Sequence, residues 1–148
     1  MSYESERKSI ETRLRDYFDS SIVPIQYENV STLKQGTQTI KDFNKVDKFI
    51  RLTITGADAE QIDIGGTYAR HTSIITLSVF TKAGKGTALA RKTLDTLYSI
   101  FNRQNFDEIC CRTTAMVNVG EDADGWYQVN LDTEYYTDRQ DTIPVKIA

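Results

Sequence analysis

The chain holds 148 residues, of which 39% are apolar, 10% aromatic and 26% charged; this suits one folded domain with its own core and excludes a disordered chain. A net charge of −3 excludes a protein whose main work is neutralising phosphate, since that needs a clear excess of Lys and Arg. The longest uncharged apolar run, residues 72–81, falls far short of the ~20 residues of a membrane helix, and the start MSYESERKSIETR lacks the apolar centre of a secretory signal. The expectation is a soluble protein with no membrane attachment.

Residues 5–20 are predicted as an amphipathic helix. Ile10, Leu14, Tyr17 and Phe18 share one face, with Glu6, Arg7, Lys8, Glu11, Arg13 and Arg15 on the other. Pro24 follows, where a proline commonly stands once a helix has ended, and residues 25–28 alternate as a short strand. Residues 29–47 are rich in Ser, Thr, Gln and Lys and read as a long loop. A loop of that length is usually functional. Lys34, Lys41 and Lys45, with Lys48 just beyond, give local positive charge in an acidic chain, while Leu33, Ile40 and Phe43 offer apolar contacts. Together with Asn29 these residues form the candidate partner interface, on a loop expected to be dispensable for folding.

Ile50, Leu52 and Ile54 alternate with Arg51, Thr53 and Thr55 as a strand buried on one face. Residues 56–58 then read as a turn, and Ile62 and Ile64 as the second strand of a hairpin. Residues 71–103 form the unit around which the rest is expected to pack: a strand with Ile75, Leu77 and Val79 inward, a glycine turn, and a helix. Ala90, Leu94, Leu97, Tyr98 and Phe101 form its apolar stripe, widened by Leu89 and Ile100, with Thr87 expected to cap it through its hydroxyl. Two further strands follow. In the first, Cys111, Thr113, Ala115, Val117 and Val119 are expected on one side. In the second, Tyr127, Val129, Leu131, Thr133 and Tyr135 alternate with Gln128, Asn130, Asp132 and Glu134. Residues 137–148, including Pro144, read as an extended tail. The prediction is one α+β domain over residues 1–148, a mostly antiparallel sheet with two helices packed on one face.

No constellation in the sequence carries catalysis. The turn Ala83-Gly84-Lys85-Gly86-Thr87 joins a strand to a helix as a phosphate loop would, yet Val79 stands where the first glycine is required and Gly86 splits the Gly-Lys-Thr run. The acidic stretch at 121–125 lacks the twelve-residue span and closing glutamate of a calcium loop. His71 is the single histidine, which rules out a multi-histidine metal site. Asp132 and Glu134 project from one strand face, an arrangement common on solvated strands. Cys110 and Cys111 are adjacent in a strand and face opposite ways, so two reduced thiols are expected, in keeping with a cytosolic setting. Trp126, Tyr127, Tyr135 and Tyr136 could stack bases, but the acidic surroundings favour core or subunit contact. No cofactor and no metal is expected.

The element order, Pro24-Ile25-Gln26-Tyr27-Glu28-Asn29, the strand ending at Gly84 and Gly86 before a helix, and Trp126-Tyr127-Gln128-Val129 in a late strand together resemble the tail terminator family of long-tailed bacteriophages, also called tail completion proteins. The likeness spans about residues 5–136. It implies a non-enzymatic virion protein, assembled in the host cytoplasm, that forms a hexameric ring on the head-proximal end of the tail tube. Such a ring ends tube polymerisation and offers a joining surface to the head connector, while genomic DNA passes through its lumen without specific binding. Its partners would be further copies of itself, the tube protein and a head-completion protein. Trp126, Gln128, Asn130 and Tyr136 are the candidate subunit contacts. The alternatives are another neck protein of the same particle, or a small-molecule enzyme, which would require a concave polar pocket with shifted titrating groups.

Overall fold

The structure, a computed structural model, describes residues 1–140. Helix α1 spans Tyr3–Tyr17. It begins two residues earlier than expected because Ser2 caps it: its hydroxyl accepts from the Ser5 amide at 3.1 Å, and the Ser2 amide donates to the Ser5 hydroxyl at 2.7 Å. It ends at Tyr17 because Phe18 turns to extended backbone and inserts into the core.

The strands are β1 (Ile25–Gln26), β2 (Leu33–Gln35), β3 (Gln38–Ile40), β4 (Lys48–Gln61), β5 (Tyr68–Lys82), β6 (Asn105–Phe106), β7 (Ile109–Glu121) and β8 (Trp126–Gln140). Helix α2, Ala88–Phe101, lies between β5 and β6. The strands form one eight-stranded sheet in the order β3-β2-β1-β4-β5-β8-β7-β6, antiparallel throughout except where β1 runs parallel to β4. The expected α+β domain is therefore present, with β5 at its centre between β4 and β8.

Both helices pack on one face of the sheet. Ile10 and Leu14 of α1, and Ala90, Leu94, Leu97, Ile100 and Phe101 of α2, meet Ile50, Leu52, Ile75, Leu77, Val79, Val129, Leu131 and Tyr135 in one cluster. The alternation read for β8 is the observed one. Tyr98 and Leu89 stand at the margins of the α2 stripe and remain partly exposed. Gly84 and Gly86 both take positive φ in the turn before α2, a conformation that glycine adopts without a Cβ penalty. The Thr87 hydroxyl makes no capping bond, contrary to expectation; its backbone is already near-helical, which turns the side chain away from the first-turn amides.

Four other expectations change. Residues 29–47 are not a structureless loop: they hold the β2–β3 hairpin and a short 3-10 turn, Phe43–Lys45. The strand read at 49–55 does not turn at 56–58, because a bulge between Gly56 and Asp58 absorbs one residue and β4 runs on to Gln61; Ile62 and Ile64 sit in the turn to β5. In β7 a second bulge, between Cys111 and Thr114, shifts the alternation so that Thr114, not Thr113, faces the core. Residues 137–140 continue β8 against the start of β5; the rest of the expected tail, with Pro144, lies outside the described residues.

Candidate assembly surfaces

The side chains expected to dock a partner are divided by the sheet. Leu33, with 0% exposure, is the deepest member of a second cluster on the helix-free side, with Val46, Phe49, Phe80 and Trp126. Ile40 and Phe43 lie half-buried over it, and Phe43 meets Phe49 edge-on at 5.0 Å. Leu33 is therefore a core residue of the subunit and not a contact for a partner. Trp126 is corrected in the same way: it is buried edge-on to Phe49 at 5.1 Å, with the Lys82 ammonium 4.3 Å from its ring centre. The amide of Trp126 and that of Asp124 both donate to the Asp122 carboxylate, so the acidic turn is a structural one.

The lysines do not form one patch. Lys34 pairs with Ile25, whose side chain is in the helix-side core, and it borders a cleft with Glu11, Arg15 and Tyr27. Its ammonium donates to the Thr39 hydroxyl at 3.0 Å. Lys48 borders a different cleft, beside Tyr17, Phe18 and Lys92. Lys41 and Lys45 are exposed beside the 3-10 turn, and Asn29 occupies an exposed turn at φ 55°.

Away from that aromatic cluster, the helix-free face of β5, β7 and β8 is polar and internally bonded. The Tyr136 ring lies between two guanidinium groups, Arg70 at 4.2 Å and Arg112 at 5.3 Å from its centre. Arg70 grips Asp138 with two bonds of 2.8 and 3.0 Å, and Arg112 donates to Glu134 at 2.8 Å. The hydrogen bonds from Arg70 hold the Asp138 carboxyl below its usual range. Farther along, Thr76 donates to Asp132 at 2.9 Å and Gln128 to Asn130 at 2.9 Å. Gln128, Asn130 and Tyr136 are thus partly open on one face, where a neighbour can reach them.

A buried ionic knot was not legible as such. Glu6 is only 3% exposed, accepts from the Tyr135 hydroxyl at 3.1 Å and pairs with Arg139. Arg139 in turn stacks on Tyr3, 4.0 Å from the ring centre, and Tyr3 stands edge-on to His71 at 5.7 Å. The available signal was position: Glu6, Ile10 and Leu14 recur every four residues and share the buried stripe. Burial pushes the Tyr135 hydroxyl up and the Cys111 thiol up to about 12, which leaves that thiol protonated and unreactive. Cys110 and Cys111 are both free.

Two long stretches of strand edge have no strand beside them among the described residues. β1 covers β4 only at Ile50 and Arg51, after which the Glu28 carboxylate accepts the Ile54 amide at 2.6 Å and pairing stops. β6 covers β7 only at Ile109 and Cys110, after which the Asn102 side chain accepts the Thr114 amide at 2.9 Å. Beyond these points residues 55–61 of β4 and 115–121 of β7 are exposed along their outer edges, apart from a partly buried Gly120. Met116, Val117 and Val119 are solvent-facing there.

Among the described residues no group of three or more His, Cys, Asp and Glu could hold a metal ion, and no helix is long and apolar enough to cross a membrane. Against known proteins, no curated sequence matches the chain. A solved structure superposes over 98% of this chain and 99% of its own with a TM-score of 0.64 at 16% identity, a likeness of fold alone. A family model described as phage tail terminator protein matches residues 7–135, from α1 to the buried Tyr135. The chain belongs to the phage tail terminator protein family and is a structural protein of the phage tail.

Proposed function

We propose that this protein ends growth of the tail tube by closing over its head-proximal end as a hexameric ring, and that the ring then presents the surface to which the head connector joins. The observation that carries this reading is the family match across nearly all of the chain. The architecture supports it. A sheet with helices on one face and a bonded polar lattice on the other leaves a broad surface for neighbouring proteins, while the helix-side core keeps the subunit folded. The polar lattice pairs its guanidinium groups with carboxylates of the same chain, so in a ring whose lumen passes DNA it would offer little grip to phosphates. Lys41 and Lys45, exposed beside the 3-10 turn, suit an acidic partner and would steer docking.

The test is a phage carrying a null allele of this gene, imaged by negative-stain electron microscopy. Filled heads and unjoined tails of irregular length are expected, and six-fold symmetry at the head-proximal end of the tail in wild-type particles. Normal joined particles from the null phage would overturn the reading. Tails of normal length that fail only to join would move the protein to another position in the neck.

A further inference from the structure

We infer that the two free strand edges pair with each other between neighbouring copies, the outer edge of β7 in one subunit against the outer edge of β4 in the next, so that the sheet runs on across the subunit boundary. This rests on the ring reading and names its interface. Direction favours it first. Each of the steps β4 to β5, β5 to β8 and β8 to β7 is antiparallel, so β4 and β7 run opposite ways, and a copy placed alongside in the same orientation brings them together as an ordinary antiparallel pair.

Chemistry favours it next. A monomeric protein protects an exposed edge with charge, proline or a covering element. Residues 114–120 of β7, TAMVNVG, contain no charge and no proline, and one bulge, near Asn118, interrupts them. Such an edge is a template that needs an occupant. The edge of β4 differs: Asp58 and Glu60 stand on it, with Asp63 in the following turn. Two β4 edges set against each other would oppose like charges, whereas an uncharged β7 edge carries no such penalty. The pairing is therefore between unlike surfaces, and a head-to-tail contact of unlike surfaces is the kind that can close into a ring. A β7 edge paired with another β7 edge would stop at two copies and leave both β4 edges bare.

The two stretches also lie at opposite ends of the strands. Residues 115–121 flank the part of β8 that meets the end of β5, and residues 55–61 flank the start of β5. Full pairing therefore displaces each neighbour along the strand direction, and in a closed ring such a stagger means strands inclined to the ring axis.

The experiment uses the full chain with Cys110→Ser, into which Thr55→Cys, Ala59→Cys, Ala115→Cys or Val117→Cys is placed singly or as one β4 site with one β7 site. All four positions are exposed on the free edges. Purified tails carrying each variant are mildly oxidised and run on non-reducing gels, with thermal melts confirming that the fold is kept. A double variant giving a ladder of linked subunits that collapses with reductant, and two single variants linking only when co-expressed so that they assemble into the same rings, are the expected results. A β7 variant that links to itself overturns the inference. So does the absence of any link from all four β4 and β7 combinations in particles that display a ring. Particles with no ring overturn the ring reading itself, a separate outcome visible by microscopy before any oxidation.

Discussion

Replacing Leu33 by alanine separates a docking role for residues 29–47 from a structural one. Leu33 is fully buried against Val46, Phe49, Phe80 and Trp126, and emptying a buried leucine site costs about 2 to 5 kcal/mol. The cluster is small, and half-buried Ile40 and Phe43 can move into part of the space, so the loss should fall near the lower end, about 2 to 3 kcal/mol. For a domain of this size that corresponds to a fall of about 4 to 12 °C in Tm. The protein has a single tryptophan, Trp126, and it sits in this cluster, so urea titration followed by its fluorescence reads the site directly. Lys41→Ala, at an exposed position, serves as control and should leave the midpoint unmoved. Replacing residues 31–44 by a Gly-Ser linker should destabilise at least as much as Leu33→Ala, because it also strips Ile40 and Phe43 from the aromatic rings. A Leu33→Ala loss below about 1 kcal/mol at unchanged m-value would refute the assignment of Leu33 to the core.

Leu97→Ala, at a fully buried position on α2, should cost about 2 to 5 kcal/mol by chemical denaturation, and Leu94→Ala a similar amount. Glu6→Ala should cost about 3 to 5 kcal/mol because it strands the Arg139 guanidinium, and pairing it with Arg139→Met should recover part of the loss in a double-mutant cycle. Asp138 is held below its usual pKa by Arg70. Its contribution to stability is thus present above the unfolded value of about 3.9 and is lost as pH falls through the lower folded value; Arg70→Leu should move the Asp138 titration, followed by NMR, back upward. Cys111, its thiol raised to about 12 by burial, should resist a thiol-specific reagent at pH 8 in the native protein and react once unfolded.

The long strands and the α2 stripe were legible because alternation and three-to-four spacing survive wherever one face is buried, as in Val129, Leu131, Thr133 and Tyr135. Bulges hid the rest. One extra residue at Gly56 or near Cys111 flips every later side chain, and nothing in local composition announces it. The β2–β3 hairpin was hidden because each strand has three residues, too few to show a period. The polar lattice around Tyr136 depends on pairing between strands far apart in sequence, so Arg70 and Asp138, separated by 68 positions, could not be matched beforehand. Of the interface candidates, Gln128, Asn130 and Tyr136 are partly open, while Leu33 and Trp126 turned inward to fill a cluster that residue type alone could not assign to a side.

The placing of β8 between β5 and β7 bears on how the chain emerges from the ribosome. Among the described residues the strand made last is the partner of both, and its Tyr135 reaches back 129 positions to Glu6. Until it appears, β7 has only β6 beside it, and its uncharged stretch is bare on both edges. At typical synthesis rates the interval between residues 121 and 140 is about one to four seconds. During that time the nascent chain displays an unprotected strand to any other nascent chain nearby. Translation on crowded polysomes should therefore be the stage at which this protein depends most on chaperones, and messages truncated between the codons for β7 and β8 should yield aggregates in place of partly folded monomer.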